Sequence, residues 1–293
     1  LADNIMLGRF SEVAMSGVSL ANQIQFLLQM LVNGAANGVA VIASQYWGKR
    51  QIAPIRKVFS AGFLLASGLS LLLGAVVIAF PQQVLFLLSD ETAIVQTGAV
   101  YLRIMGFSYV IFAVTNLIIA LMRSVESVRI GFAVSLVALV VNIFLNYCLI
   151  FGNLGFPELG VKGAAYATVI SRVAELLTAF IYVLCIDKKL KLRLKDFFSV
   201  EKVYMHDYIK TGVPIIMSGS SWGIAMTVQT AIIGRLGEAA IGANAIAAPI
   251  YQVISVLYSS SSNAAGVLIG KTVGEGDVPR VKQYSKKLQI MFV

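Results

Sequence analysis

The chain has 293 residues, of which 58% are hydrophobic and only 13% are charged, and its formal net charge is +9. A soluble domain carries roughly 45–50% apolar and about 25% charged residues, so this composition excludes an ordinary water-soluble module. The positive charge does not indicate a nucleic-acid partner either, because the basic residues are spread over alternate loops between apolar segments.

Apolar segments long enough to cross a bilayer, about 18 residues with few charges, recur along the whole chain. In chain order, the sequence predicts the tail of a first helix ending near Phe10, followed by helices near residues 13–47, 56–80, 93–122, 129–151, 163–186, 208–233 and 239–270. A further helix begins near Arg280, and we expect both ends of the chain to cut through a helix. The predicted fold class is an all-α polytopic membrane protein.

Basic residues collect in every second loop, as at Lys49, Arg123, Lys188 and Lys271. The positive-inside rule places these loops in the cytoplasm and the protein in the cell membrane, which is the inner membrane in a bacterium with two membranes. The longest polar interval, residues 187–207, is predicted to be a basic linker on the inner membrane surface. It would separate an N-terminal lobe, residues 1–186, from the start of a C-terminal lobe, residues 208–293.

One phrase occurs twice, as LGRFSEVAMSG from Leu7 and as IGRLGEAAIGA from Ile233. A shift of 226 positions (234 − 8 = 226) aligns the two copies and continues without a gap to the pairs Asn37 with Asn263 and Gly48 with Gly274. Six predicted helices separate the copies, so both cross the membrane in the same direction. The two halves are therefore expected to be related by an axis along the membrane normal, with a cleft between them.

Each copy carries a polar stripe at four-residue steps, made of Gln25, Gln29, Asn33 and Asn37 in the first and of Tyr251, Ser255, Ser259 and Asn263 in the second. Residues four apart share one helix face, which favours the lining of a shared, water-accessible cavity. The alternative is that these side chains hold helices together within each half. Aromatic faces and uncharged polar groups bind amphipathic organic cations, so the predicted substrate-lining residues are Gln25, Gln29, Asn33, Trp222, Tyr251 and Ser255.

Ionisable groups at membrane depth are costly and are functional hypotheses by default. Asp3 stands inside the first predicted helix with no cation within four positions. A carboxylate held away from water has a raised pKa, so it can exchange a proton or hold Na⁺ when neutral oxygens surround it. The alternative is a wetted aspartate at a helix end.

Asn142 and Asn146 lie one turn apart on a later helix, and Thr168 offers a hydroxyl on the next one. The two amides supply oxygens for a hard cation or partners for Asp3, although such residues alone often only join helices. Arg172 and Glu175 are three apart and are predicted to form a structural ion pair, with a proton relay as the lesser alternative. Arg103 is expected to extend to the membrane interface.

Signatures of an enzyme are weak. The segment AGVLIGKT from Ala265 fits a relaxed phosphate-binding pattern, but that loop must follow a strand, and here a membrane helix is predicted. His206 has no second histidine or cysteine nearby that would complete a metal site. We therefore predict a protein that is not an enzyme and has no cofactor other than a coupling ion.

Several segments together resemble the multidrug and toxic compound extrusion (MATE) family: ADNIMLGRFSEVAMSGVSLANQI with its echo AIIGRLGEAAIGANAIA, YLRI from Tyr101, NIFLNYCLIFG and GVKGAAYATVISR. The resemblance covers essentially the whole chain and implies two six-helix lobes that form a V, with export of drugs and organic cations in exchange for H⁺ or Na⁺. It places Asp3, Asn142, Asn146 and Thr168 at the ion-coupling site, with Na⁺ as one candidate ion at Asp3, Asn142 and Asn146. It implies small organic substrates, membrane lipids around a monomer, and no nucleic acid.

Asn146 stands where some members of that family have a carboxylate, which leaves the choice between H⁺ and Na⁺ open. A flippase for lipid-linked saccharides is an alternative function, but its cleft should carry several Arg or Lys to meet a diphosphate. A membrane scaffold without transport is a third hypothesis, and it needs neither Asp3 nor the polar stripes.

Overall fold

The computed structural model describes residues 6–8, 11–235 and 238–292, and all the regular secondary structure in these ranges is helical. Ten α-helices of six or more residues follow residue 11: α1 Glu12–Gly48, α2 Ile52–Ala79, α3 Pro81–Phe86, α4 Thr92–Met105, α5 Ser108–Ser124, α6 Arg129–Phe151, α7 Val161–Ile181, α8 Lys202–Arg235, α9 Glu238–Glu275 and α10 Val278–Phe292. The predicted all-α fold is confirmed.

Four of the described helices, α1, α2, α6 and α7 with its extension to Ile186, are long and apolar enough to cross a membrane, and α4 with α5 adds a fifth, broken span. The 23 residues of α6 span about 34 Å at 1.5 Å per residue, enough for a hydrocarbon core of about 30 Å. One face of α6 exposes large apolar side chains: Phe132, Leu136, Leu139, Val140, Ile143, Phe144 and Tyr147. A contiguous apolar surface of this kind is typical of a face that meets lipid.

The single helix predicted over residues 93–122 is a bent pair, in which α4 and α5 meet at an angle of 54°. Sharp kinks occur at Gly and Ser pairs, and Gly106 ends α4 where it lies against the Gly74 carbonyl of α2. The Ser108 hydroxyl donates to the Met105 carbonyl oxygen at 2.7 Å, which takes up an acceptor at the break. The prediction missed the bend because apolar periodicity continues across it.

The long helix α1 is the centre of the bundle and packs against α2, α4, α5, α8 and α9. Its buried face is made of small and β-branched residues, among them Val32, Ala35, Ala36, Val39 and Ala43. Small side chains let helix backbones approach closely, which is how helices associate where lipid removes the hydrophobic driving force. Both α8 and α9 can therefore pack directly on the helix that carries the first polar stripe.

The connections α1–α2, α5–α6, α7–α8 and α9–α10 meet at one end of the bundle, here called the basic end. The segment between α7 and α8 was predicted as a surface linker reaching residue 207, but α8 already begins at Lys202. Leu190, Leu192 and Phe197 of this segment are buried, and the Arg56 guanidinium donates to the Leu190 carbonyl oxygen at 2.5 and 3.0 Å. The linker thus packs onto α2, because its charged residues alternate with apolar ones.

Candidate functional site

The antiparallel pair α6 and α7 carries a polar cluster, made of Asn142, Asn146 and Thr168. The Asn146 amide donates to Asn142 Oδ1 at 3.1 Å, and the Asn142 amide makes a longer contact of 3.4 Å with Thr168 Oγ1. Asn146 is fully buried and Thr168 is 8% exposed. The structure therefore brings together three of the four residues predicted for ion coupling.

Close backbone packing sets the register of this pair. Gly163, near the start of α7, lies so near to Leu149 that a Cβ built on it would fall 2.6 Å from the Leu149 carbonyl carbon. At 1.5 Å per residue, Asn146 and Asn142 lie about 8 and 14 Å from the end of α6, well inside the apolar span. Asp3, the fourth predicted member, lies outside the described residues, so its role stays a prediction.

A cavity of about 760 Å³ lies between the two halves of the chain, within the size range of small-molecule pockets. The described lining residues lie on four helices: α1, α5, α8 and α9. Its lining includes both members of two aligned repeat pairs, Asn33 with Ser259 and Asn37 with Asn263. The prediction that the two polar stripes face one shared cavity therefore agrees with the geometry for these members.

Four of the six residues predicted to line the substrate site lie at this cavity: Asn33, Trp222, Tyr251 and Ser255. Trp222 and Tyr251 are 46% and 54% exposed, so their rings remain accessible on its wall. The other two, Gln25 and Gln29, are half-buried on α1 and fall outside the described lining, which begins on that helix at Met30. Their contact with substrate stays a prediction.

The sequence analysis missed the contribution of α5. Asn116 and Arg123 both line the cavity, and Arg123 donates to Asn37 Oδ1 at 3.2 Å. The positive-inside pattern had assigned Arg123 to an aqueous loop, whereas the structure turns it towards the cavity. The spacing of seven residues between Asn116 and Arg123 puts both on one helix face, and this was the available signal.

Beyond the cavity, α1 and α9 cross in direct backbone contact at the basic end. A Cβ on Gly270 would overlap Ser44 Oγ, one on Gly48 would overlap the Lys271 carbonyl, and one on Gly274 would overlap the Gln45 carbonyl. These contacts obey the shift of 226, because 44 pairs with 270, 45 with 271 and 48 with 274. Gly48 contacts Lys271, the counterpart of Gln45, and Gly274, the counterpart of Gly48, contacts Gln45. Such exchange of partners is the reciprocal pattern of a two-fold contact.

A charged cluster covers this crossing, here called the basic-end cluster and made of Trp47, Glu126, Lys189 and Lys271. Glu126 Oε1 pairs with Lys271 Nζ at 2.7 Å, and its Oε2 accepts from the Trp47 indole at 3.4 Å. Lys189 from the linker donates to the Val125 and Glu126 carbonyl oxygens at 2.6 and 3.2 Å. The cluster joins both halves and the linker.

The hydrogen bond from Lys271 lowers the pKa of the Glu126 carboxyl below its usual 4.5, with the Trp47 bond and the nearby ammonium groups acting in the same direction against partial desolvation. Glu126 also has a φ of 59°, a left-handed conformation that costs a non-glycine residue about 1 kcal/mol or more. Glu126 therefore adopts an unfavourable backbone conformation at the point where its side chain pairs with Lys271 of the other half.

The predicted ion pair within α7 is present. Arg172 Nη1 lies 3.2 Å from Glu175 Oε2, with the two side chains 20% and 11% exposed. The Arg172 guanidinium also lies over the Phe112 ring of α5 at 4.4 Å. Each buried charge has a partner, and the pair ties α7 to α5, as expected for a structural role. Arg103, on the exposed side of α4, does not line the described cavity.

A polytopic helical bundle with two parallel repeats, a polar cavity between them and a close-packed crossing at one end is an architecture typical of membrane transport proteins. The sequence model of the MatE family matches residues 1–148, slightly more than half of the chain. The chain belongs to the MatE family of multidrug and toxic compound extrusion proteins.

Relatives and solved structures agree with this assignment. The chain is 28% identical to the uncharacterised transporter YisQ of Bacillus subtilis over 93% of its length, and 28% identical to the probable multidrug resistance protein NorM of Halalkalibacterium halodurans over 97%. It spans about 60% of the length of these curated relatives. An outward-facing multidrug resistance MATE family transporter of the MOP superfamily superposes with a TM-score of 0.78 at 20% identity, covering 98% of this chain and 63% of the other, which shows the fold.

Proposed function

We propose that the protein exports drugs and other amphipathic organic solutes, organic cations among them, across the cell membrane in exchange for H⁺ or Na⁺. The observation that carries this proposal is the cavity between the two halves, which lies above a closed crossing. The cavity floor is the end of the cavity nearest the crossing, at Asn37, Arg123 and Asn263. Asn37 precedes Ser44 by seven residues, so this floor lies about 10 Å from the α1–α9 contact. The family membership supports the same conclusion.

The cavity lining suits solutes that are apolar over most of their surface. Amide and hydroxyl groups alternate there with Trp222, Tyr251 and Tyr258. Aromatic faces bind cationic and flat aromatic groups, and uncharged polar groups orient them without a large desolvation cost. Such a surface accepts several solutes of similar size.

The coupling ion would bind at the polar cluster of α6 and α7, with Asp3 as its charged member. Asn142, Asn146 and Thr168 supply the neutral oxygens that a hard cation needs beside a carboxylate, or the hydrogen-bond partners of a protonated one. Ion and solute would favour opposite conformations, which is the thermodynamic requirement for exchange. In one conformation the α1–α9 crossing is closed, and in the other it separates.

We assign residues 1–186 to one lobe and the chain from α8 onwards to the second, with the basic end in the cytoplasm as the positive-inside rule requires. The protein would work as a monomer surrounded by lipid, since cavity and crossing are both formed within one chain. The basic-end cluster would then hold the cytoplasmic side closed.

Uptake of a fluorescent dye into inverted membrane vesicles, driven by an imposed pH or Na⁺ gradient, tests the proposal. Asp3→Asn should abolish ion-driven uptake while the protein remains in the membrane, and Asp90→Asn, in the exposed loop before α4, is the matched control. Undiminished uptake by Asp3→Asn would reject the coupling site, and uptake that needs neither gradient would reject exchange altogether.

The alternative of a flippase for lipid-linked saccharides requires several cationic side chains for a diphosphate. Among the described lining residues of the cavity there is one, Arg123. Export of smaller amphipathic solutes is therefore the better supported function.

A further inference from the structure

The cavity floor carries a positive charge that the described part of the protein does not neutralise. Arg123 is the one Lys or Arg among the described lining residues, and none of them is Asp or Glu. The ion pairs found in the described ranges do not include Arg123, and the nearby Glu126 is engaged by Lys271. A solute entering this cavity therefore meets a net positive floor.

The orientation of Arg123 is unusual for its position. It stands in the last turn of α5, where a long basic side chain ordinarily extends to the aqueous interface and interacts with the helix C-terminus. Here the guanidinium turns inward and donates to Asn37 Oδ1 instead. Its Nε is buried and has no hydrogen-bond partner among the described residues.

The floor around this guanidinium is otherwise built of amides. Asn37 of α1 accepts a hydrogen bond from it, Asn263 of α9, the repeat counterpart of Asn37, lines the same cavity, and Asn116 lies two turns away on α5. Amide N–H groups donate to anions, and a guanidinium presents five donors in a planar fork that matches a carboxylate. Because Nε is buried and Nη2 gives one donor to Asn37, an anion that approaches from the cavity would meet the remaining terminal N–H groups of the guanidinium.

We propose that Arg123 forms an anion subsite at the cavity floor, which binds a carboxylate of the transported solute and makes the cavity prefer carboxylate-bearing amphiphiles over otherwise identical uncharged or esterified ones. This inference rests on the proposed function, because it takes the cavity as the transport site. It deepens that function by naming a chemical group that the cavity prefers in its solutes and the residue that selects it.

The dimensions of the cavity allow one solute to reach both kinds of wall. Tyr258 precedes Asn263 by five residues, which is about 8 Å along α9. A flat aromatic ring system can therefore stack near Tyr258 while a carboxylate attached to it contacts Arg123. A carboxylate on the same solute offsets the cost of keeping a guanidinium away from bulk water.

A matched pair of dyes tests the subsite by direct binding. A rhodamine with a free carboxylate and the ethyl ester of the same dye differ little in size but by one negative charge, and fluorescence anisotropy reports their binding to the purified, detergent-solubilised protein. The free acid should bind about tenfold more tightly than the ester, as expected for a charge-assisted hydrogen bond out of bulk water. Arg123→Gln should bind the acid and the ester with equal affinity, whatever its absolute affinity for either dye, and Arg123→Lys should retain part of the wild-type difference.

Arg103→Gln is the matched control, because it removes one arginine from a membrane helix outside the cavity lining. Equal binding of the two dyes by the wild-type protein would overturn the inference without any variant. A preference for the acid that persists in Arg123→Gln would overturn it as well. Gradient-driven uptake of the ester dye in vesicles reports the proposed function separately, so transport of the ester without acid preference rejects the subsite alone.

Discussion

Replacing Gly274 with alanine should separate the two halves at the basic end. A Cβ at this position would lie 2.8 Å from the Gln45 carbonyl carbon and 3.1 Å from Gln45 Cα, whereas carbon atoms in contact lie about 3.5–4.0 Å apart. Backbone cannot rotate away as a flexible side chain can, so α1 and α9 must move apart by roughly 1 Å.

The cost of this overlap follows from the behaviour of overpacked interiors, where extra carbon atoms destabilise by about 1–3 kcal/mol. This penalty applies only to the conformation in which the crossing is closed. If the protein exchanges between the closed and separated conformations proposed above, the substitution should shift the population towards the separated one by about 5- to 150-fold. Gly266→Ala is the matched control, because it lies two turns earlier on the same helix and its Cβ meets nothing within 4 Å.

Spin labels at Gln51 and Val273, both exposed near the basic end, allow the distance between the halves to be measured by pulsed electron paramagnetic resonance. The exposed Cys185 is first replaced by serine. Gly274→Ala should broaden the distance distribution or add a longer component, and Gly266→Ala should not. If both variants give the wild-type distribution, the close crossing of α1 and α9 does not exist as described.

Three further predictions concern ion pairs and hydrogen bonds. Because Lys271 lowers the pKa of Glu126 in the closed form, the pair stabilises closure above pH 4.5 and is lost as the pH falls through the lowered pKa. Spin-label distances should thus lengthen below about pH 4.5 in the wild type and should show no such step in Glu126→Gln. The stabilisation lost is about 0.5 kcal/mol for a pair this exposed. A step that persists in Glu126→Gln would show that another group titrates. Thr168→Val should raise the half-saturating ion concentration for uptake about fivefold, because it removes the contact with Asn142. Thr178→Val is the control and should leave this concentration unchanged, since its hydroxyl donates to the Ala174 carbonyl within α7. Equal effects of the two variants would show that Thr168 is not part of the ion site. Glu175→Gln should destabilise the protein by about 3 kcal/mol and lower its melting temperature, because it leaves the Arg172 charge without a partner. Replacing Arg172 and Glu175 together by leucine should restore most of the lost stability. A double variant less stable than the single one would contradict a purely structural pair.

The internal repeat was the sequence feature from which most of the contacts between the two halves could be predicted. The shift of 226 positions identified Asn37 and Asn263 as equivalent, and the structure places both on one cavity. The same shift relates Gly48 to Gly274, whose contacts at the α1–α9 crossing are reciprocal. Sequence could predict these pairings because a repeat fixes which residues are equivalent, and a parallel arrangement brings equivalent helices to a common axis.

Other features depend on three-dimensional packing that composition does not record. Arg123 was assigned to a loop because charge patterns count residues near helix ends and contain no information on where a side chain turns. The bend at Gly106 was missed because glycine is tolerated inside membrane helices, and only the packing of Gly106 against α2 distinguishes it from other glycines. The linker was expected on the inner membrane surface because of its basic residues, whereas Leu190 and Phe197 are buried and the segment packs onto α2.

The crossing of α1 and α9 has a consequence for how the two halves can diverge. At the pseudo-symmetry axis a residue meets its own counterpart, and here Ser44 meets Gly270. Two identical serines would compete for one space, and two glycines would leave it empty. A covalently joined chain escapes that constraint, because the hydroxymethyl group of one copy fills the space that the other leaves open.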